Sequence, residues 1–275
     1  MTTAELTPAD FDLIRGLVRQ HSAIVLEHDK HYLIETRLQM LAKTDGFPSV
    51  DHLMAEVRAG KRHPRVVEAM TTNETSFFRD LLPFEAFRKV VLPELTTRRA
   101  DQRRLRIWCA ACSTGQEPYS LAMLLREHGA PLNGWKLELL ASDLSTQVLE
   151  RAKQATFNQL EVNRGLPAPL LLKYFRKDGS QWLLKDEIRQ MVQFQQLNLI
   201  GTWPSLPEMD VVFLRNVLIY FDVDVKRQIL ARVRRLLRPD GFLFLGGAET
   251  TLNLDDAFER VPFERSGCYR LRSGT

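Results

Sequence analysis

The chain is 275 residues long, 44% hydrophobic and 26% charged, which gives room for one large domain or an ordinary domain with a smaller partner and excludes disordered and fibrous classes. No apolar run approaches the roughly 18–20 residues that cross a bilayer, the opening MTTAELTPADFDLI lacks a signal peptide's basic start and apolar stretch, and the three cysteines Cys109, Cys112 and Cys268 are too few for a disulfide framework, so a cytoplasmic protein without membrane insertion is expected. The net charge of +4 does not mark a nucleic-acid arm, because residues 1–72 carry nine Lys/Arg against ten Asp/Glu and the excess sits at Arg98–Arg106 and Lys226–Arg238, as solvated faces do.

Residues 8–70 predict a compact unit of three or four short helices. Phe11, Ile14, Leu17 and Val18 recur at helical spacing, as do Leu33, Arg37, Leu38 and Leu41 with Met40. Thr7 before Pro8 is a candidate N-cap, Ser49 precedes an amphipathic stretch over 50–57, and Gly46, Pro48, Gly60 and Pro64 punctuate the rest. Domain boundaries follow: 1–72 helical, 73–85 a linker that contributes to a cleft, and 86–275 the main domain.

From about residue 104 short apolar runs alternate with helical segments, the pattern of a parallel sheet covered by helices. Strands are predicted at 105–110, 137–142, 192–198, 211–216 and 242–246, with helices near 116–128, 146–155 and 225–237. Two closing runs, 258–263 and 268–272, predict an antiparallel hairpin. The alternation is interrupted at about 158–191, where Asp178-Gly179 between two strand-like arms predicts an inserted β-hairpin subdomain.

Ligands of an open α/β sheet bind at the carboxyl ends of its strands. There the segment Cys109-Ala110-Ala111-Cys112-Ser113-Thr114-Gly115-Gln116-Glu117-Pro118 follows the first strand and opens a helix. Its small residues admit a cofactor close to the backbone, and its single glycine departs from the G-x-G-x-x-G of nicotinamide binders, which favours S-adenosylmethionine. Asp143, ending the second strand, is placed to accept ribose hydroxyls, although Asp-x-Ser is also an ordinary helix N-cap. Cys109-x-x-Cys112 has no second pair and the histidines form no His-x-x-x-His pair, so no metal site is expected. The segment Thr71 to Asp80 is unusually dense in hydroxyls, an amide, aromatics and Arg79 for a linker.

Four blocks then resemble a known family in its order: Thr72-Asn73-Glu74-Thr75-Ser76-Phe77-Phe78-Arg79, Ala111 to Ser120, Ala141-Ser142-Asp143-Leu144-Ser145, and Arg215-Asn216-Val217-Leu218-Ile219-Tyr220-Phe221-Asp222. They are similar to the signature segments of CheR proteins, the glutamate O-methyltransferases of bacterial chemoreceptors. The segments Gly246 to Thr250 and Gly267 to Arg270 are similar too. The resemblance implies a class I S-adenosylmethionine-dependent methyltransferase fold, Rossmann-like and mostly parallel with a C-terminal antiparallel hairpin, beside a small N-terminal helical domain that recognises substrate. It implies that Asn73, Thr75, Arg79, Glu117, Asp143, Asn198, Leu199, Arg215 and Asn216 contact the cofactor. Glu117 would meet the methionyl amino group, Asp143 the ribose, and Arg79 and Tyr220 would stand beside the transferred methyl. The implied partners are the cytoplasmic helical region of chemoreceptors and a regulatory adaptor protein, with the enzyme a monomer.

Methyl transfer from a sulfonium is an in-line displacement, and a glutamate side chain with pKa near 4.3 is already ionised at neutral pH. No general base is required, in keeping with the motif blocks, so rate enhancement rests on positioning and water exclusion. Arg79 can hold one carboxylate oxygen while Tyr220 orients the other or the donor, although a tight Arg–carboxylate pair also stabilises the ground state. Basic side chains at Arg37, Lys43, Arg58, Lys61, Arg62 and Arg65 suggest a local patch for acidic receptor helices. The Asp178-Gly179 turn looks short for binding a receptor tail as an added strand. A non-catalytic cofactor-binding scaffold, a methyltransferase for another protein and a nicotinamide oxidoreductase are the rival readings.

Overall fold

A computed structural model of the chain describes residues 6–263 and 265–272; the outermost residues of the expected first and last domains lie outside these. The chain divides into two compact units, one of residues up to Thr72 together with Tyr220–Val225, the other of Asn73–Ile219 and Lys226 onward.

Among the described residues the first unit has four helices: α1 (Pro8–Ser22), α2 (His31–Thr44), α3 (Val50–Arg58) and α4 (His63–Ala69). Thr7 caps α1 in a full capping box, its hydroxyl accepting from the Asp10 N–H while the Asp10 carboxylate accepts from the Thr7 N–H, which satisfies two otherwise orphaned donors. Ser49 precedes α3 without capping it; its hydroxyl bonds His52 Nδ1 at 2.9 Å instead. The core is built from Ile14, Leu17, Val18, Ile34, Leu38, Leu41, Leu53, Met54, Val57 and Val66. Met40, expected on the apolar face of α2, is 65% exposed.

The second unit opens with α5 (Leu82–Ala86), one turn of π-helix (Phe87–Val91) and α6 (Leu92–Arg98). Then follow β1 (Arg104–Ala110), α7 (Gln116–His128), β2 (Lys136–Asp143) and α8 (Thr146–Gln154). Next come β3 (Thr156–Asn158), α9 (Gln159–Asn163), α10 (Ala168–Tyr174), β4 (Phe175–Asp178), β5 (Gln181–Leu184) and α11 (Asp186–Arg189). The chain ends with β6 (Val192–Gln196), β7 (Met209–Leu214), α12 (Val223–Leu236), β8 (Leu237–Leu245), β9 (Phe258–Arg260) and β10 (Cys268–Leu271).

The main sheet has the order β6-β2-β1-β7-β8-β10-β9. It is parallel from β6 through β8, and β10 pairs antiparallel with both β8 and β9. The carboxyl-terminal half of β1 and all of β7 are buried, as strands covered on both faces must be, hence their near-continuous apolar sequence. β8 begins at Leu237, five residues before the expected Phe242, because a register irregularity between Met209 and Val211 lets Leu237 pair ahead of the Arg-Pro-Asp-Gly stretch.

The insertion begins with β3 at Thr156 and forms a second sheet, β3-β5-β4. Its hairpin turns through Gly179-Ser180, since Asp178 pairs with Gln181, and Gly179 adopts φ +56°, a value that glycine accepts without strain. Phe157 and Phe175 from this sheet pack edge-on to Phe77 at 4.9 and 5.7 Å, so the insertion grips the linker. A side chain at Gly165 would lie 2.1 Å from the Phe77 carbonyl oxygen.

Candidate active site

Three loops meet at the carboxyl ends of β1, β2 and β7, and backbone strain concentrates in them. Ala111, Ser113 and Gly115 after β1 have φ of +57°, +51° and +94°; Asn216 after β7 has +57°; in the linker Phe78, Asp80 and Leu81, flanking Arg79, have +49°, +65° and +46°. Each left-handed non-glycine residue costs about 1–2 kcal/mol. Such strain persists only where surrounding contacts enforce it.

Those contacts are visible. The Cys112 N–H bonds the Ser142 carbonyl at 2.9 Å, and the Ser113 N–H bonds Asp143 Oδ2 at 2.8 Å. Asp143 Oδ1 accepts from the Ser145 N–H at 3.0 Å. Ser145, not Asp143, caps α8, its hydroxyl accepting from Val148, so the N-cap explanation for Asp143 fails and its carboxylate is aimed into the bend of the first loop. The Ser113 hydroxyl donates to the Asn73 carbonyl at 2.8 Å, and the Phe78 N–H donates to the Ser120 hydroxyl at 3.0 Å, which tie the linker to α7. Burial pushes the Cys109 and Cys112 thiols well up, so neither supplies a thiolate.

Beneath the linker lies a buried ion pair. Glu117, 9% exposed, accepts from Arg215 Nη1 at 2.8 Å through Oε2. Arg215 Nη2 reaches Asp80 Oδ2 at 2.8 Å and the Arg79 carbonyl at 3.0 Å, and the guanidinium lies 5.5 Å from the Phe84 ring centroid. Arg215 Nε is buried with no hydrogen-bond partner among the described residues. Burial pushes the Glu117 carboxyl up, and the charges of Arg215 and Arg79 only partly offset this. The Arg79 guanidinium donates to the Glu74 carbonyl at 2.9 Å and is half-buried.

The loop after β6 is held by two side chains, Asn198 and Arg232. Asn198 Oδ1 accepts from the Ile200 N–H at 3.1 Å. Arg232 of α12 donates to the Leu199 and Gly201 carbonyls at 2.9 and 2.6 Å and lies over the Trp203 ring at 4.6 Å. The loop after β7 is gathered by Glu249.

A model of the SAM binding domain of CheR methyltransferases matches residues 73–266, and a model of their all-alpha domain matches residues 9–71. The chain belongs to the CheR methyltransferase family. It is 42% identical to chemotaxis protein methyltransferase 1 of Pseudomonas aeruginosa over 96% of this chain and 98% of that one. It is 40% identical to chemotaxis protein methyltransferase Cher2 of Pseudomonas putida over 95% and 96%. For the chemotaxis protein methyltransferase of Vibrio anguillarum the identity is 35% over 99% and 100%. The fold is accordingly that of the class I S-adenosylmethionine-dependent methyltransferases with an all-alpha N-terminal domain.

The CheR cleft fits S-adenosylmethionine. Glu117 Oε1 receives no hydrogen bond from the described residues, although the carboxyl group is buried beside a paired guanidinium, an arrangement that suits an ammonium group. Asp143 is oriented by two backbone N–H groups, and the loop opposite it is built of Ala111, Ser113 and Gly115.

Of the residues that the sequence motifs single out, the second unit brings Arg79, Glu117 and Arg215 into one electrostatic cluster, with Asn73 and Asp143 both held to the loop after β1. Thr75 is half-buried in the linker, and Leu199 is buried. Tyr220 belongs to the first unit, where its carbonyl accepts from the Val25 N–H at 3.0 Å and its ring lies near Arg37. Asp80, Arg232 and Glu249 were not among the expected site residues, although Asp80 stood next to Arg79 in the linker segment and Glu249 within the family-like segment Gly246 to Thr250.

The expected basic face of the helical unit needs correction. Arg58 pairs with Asp10 through Nε at 3.1 Å, Arg65 with Asp45 at 2.7 Å and Glu68 at 3.4 Å, and Lys61 with Glu56 at 3.2 Å. Arg37 donates to the Met70 carbonyl at 2.5 Å and to Thr72. The acidic residues interleaved with these bases in sequence return to them in space. Arg37, Lys43 and Arg62, the last 5.5 Å from the Phe47 ring centroid, have no carboxylate partner among the described residues.

Proposed function

We propose that this chain is a protein-glutamate O-methyltransferase that esterifies carboxylate side chains on the cytoplasmic helical region of chemoreceptors. The observation that carries the reading is the charge inventory of the cleft: Arg79, Arg215, Glu117 and Asp143 stand with two thiols pushed up by burial. Such a set offers positive hydrogen-bond donors and no neutral base, which suits an acceptor that arrives ionised. S-adenosylmethionine, when bound, supplies an electrophilic methyl group.

In this reading Glu117 holds the methionyl ammonium through Oε1 and Asp143 the ribose hydroxyls. Asn73, Thr75, Asn198, Leu199, Arg215 and Asn216 complete the cofactor's contacts. Arg79 and Tyr220 flank the reacting carboxylate. Arg79 spends one N–H on the Glu74 carbonyl, which leaves most of its five donors for a substrate oxygen. The helical unit presents the receptor, and the enzyme works in the cytoplasm; no helix among the described residues is long and apolar enough to cross a membrane.

The test is incubation with labelled S-adenosylmethionine and receptor signalling domains, followed by alkali. Label released by mild base is expected, as glutamyl methyl esters hydrolyse. Label that survives alkali identifies N-methylation and overturns the proposal.

A further inference from the structure

β7 ends at Leu214, and the chain then turns through Asn216 at φ +57° into a short helical turn at Leu218–Tyr220. That path leaves four successive N–H groups, Asn216 to Ile219, without strand partners, and buried orphan donors cost about 1–3 kcal/mol each. One carboxylate takes all of them. Glu249 Oε1 accepts from Val217 at 2.9 Å, Leu218 at 2.7 Å and Ile219 at 3.3 Å, while Oε2 accepts from Asn216 at 2.8 Å and from Gly246 at 2.6 Å. Glu249 is 9% exposed and comes from the turn after β8.

The surroundings are shaped for this carboxylate. A Cβ at Gly246 would lie 2.7 Å from both Glu249 Oε2 and Asn216 Nδ2, and 2.9 Å from the Asn216 nitrogen. Gly246 is therefore required for space, not for φ. An ordinary helix cap satisfies one or two N–H groups; five exceeds the needs of a three-residue turn. The loop so fixed carries Arg215, whose guanidinium pairs with Glu117, and Asn216, and it leads directly into Tyr220. The Glu249 charge is also close enough to push the Glu117 carboxyl upward.

We infer that Glu249 is a positioning residue for methyl-donor binding: it gathers the amides of residues 216–219 and thereby sets where Arg215 and Asn216 stand. The inference rests on the reading that this loop meets S-adenosylmethionine. In Glu249→Gln the side-chain amide keeps one acceptor oxygen but turns an NH2 group toward two N–H donors, so the loop is released while the shape is preserved.

Three measurements on the full chain decide the matter. Calorimetry with S-adenosylhomocysteine is expected to show affinity of Glu249→Gln about tenfold weaker than the parent, as for one lost charged hydrogen bond. Steady-state methylation is expected to show KM for the methyl donor raised about tenfold and KM for receptor changed by less than about twofold. A fall in kcat alone, with both KM values unchanged, marks a merely structural residue and overturns the inference. Hydrogen exchange on the unsubstituted protein, which is independent of how the variant folds, is expected to find the amides of residues 216–219 protected without ligand; exchange at free-loop rates overturns it. If the parent itself fails to bind S-adenosylhomocysteine, the methyl-donor reading falls, a result distinct from parent and variant binding alike.

Discussion

The two ends of β7 each hold a buried arginine with two carboxylates, and the two clusters are built to opposite purposes. At the start of the strand, Arg99 donates through Nε to Asp210 at 2.8 Å and through both terminal nitrogens to Asp240 at 2.9 and 2.5 Å, while the Arg106 N–H completes Asp210 at 2.8 Å. Each nitrogen of the guanidinium is engaged. The Arg99 guanidinium holds the Asp240 carboxyl below the usual range, and the two acids in turn push Arg99 up. At the end of the strand, among the described residues, Arg215 leaves Nε without a partner and Glu117 leaves Oε1 without a donor, and burial wins over pairing so that Glu117 is pushed up. A closed network stabilises the fold; one left open is poised for a ligand.

Arg99→Ala breaks the closed network and strands Asp210, which is 1% exposed. Removing one partner of a buried pair costs about 3–5 kcal/mol, which lowers the melting midpoint on the order of 10 °C for a unit of this size. Thermal unfolding followed by circular dichroism checks this, and a fall of under about 3 °C would mean that the cluster at the start of β7 is not the stabilising one. Glu117→Gln acts at the other end, where the expected loss is in affinity. Calorimetry with S-adenosylhomocysteine should give binding about 10–100-fold weaker, the equivalent of a charged hydrogen bond, while the melting midpoint moves little. If the stability falls and the affinity stays, the contrast between the two ends is wrong.

Arg79→Ala should lower receptor methylation about tenfold at saturating methyl donor, roughly 1.4 kcal/mol of transition-state contact. Unchanged turnover would confine Arg79 to shaping the linker, whose left-handed residues on either side already constrain it.

These contrasts also show what could be read before the structure. The parallel strands were legible because β1 and β7 are buried on both faces and therefore spelled in unbroken apolar letters, Ile107-Trp108-Cys109-Ala110 and Val211-Val212-Phe213-Leu214. The place of the cleft was legible because Asp143 ends β2 and the loop leading to Glu117 follows β1, where an α/β sheet binds ligands, whereas Glu117 itself was singled out by the family resemblance. The start of β8 was hidden by Arg238-Pro239-Asp240-Gly241, a turn signal by composition that the β7 irregularity converts into strand. β3 is three residues long, too short to leave a period. The segment Gly246 to Thr250 was recognised as family-like, but the role of Glu249 was hidden, since nothing local announces that five N–H groups from two segments converge on it. The pairing that neutralises Arg58, Lys61 and Arg65 within the basic patch was hidden for the same reason: Arg58 and Asp10 lie 48 positions apart in sequence.

The smallest expected effect separates the clusters most sharply, because its sign differs between two measurements. A carboxyl pushed up in the folded chain, as Glu117 is by burial, binds its proton more tightly folded than unfolded, so the stability it contributes is present at low pH and is lost as pH rises through the raised value. An ammonium ligand needs the charged form. Affinity for S-adenosylhomocysteine should therefore be full near neutrality and fall as pH drops toward, and while still above, the usual carboxylate range. The ligand's own amine stays protonated below about pH 8, so this acid limb belongs to the protein, and Glu117→Gln should flatten it. At the other end of β7, Asp240 is held low by Arg99, so its contribution is present above the ordinary carboxylate value and fades only as pH falls through the lowered one. Calorimetry from pH 8 to 5 reads the first, and thermal melts continued below about pH 4 read the second. A flat acid limb in the parent chain would show that Glu117 does not hold the ligand's ammonium, however open its second oxygen.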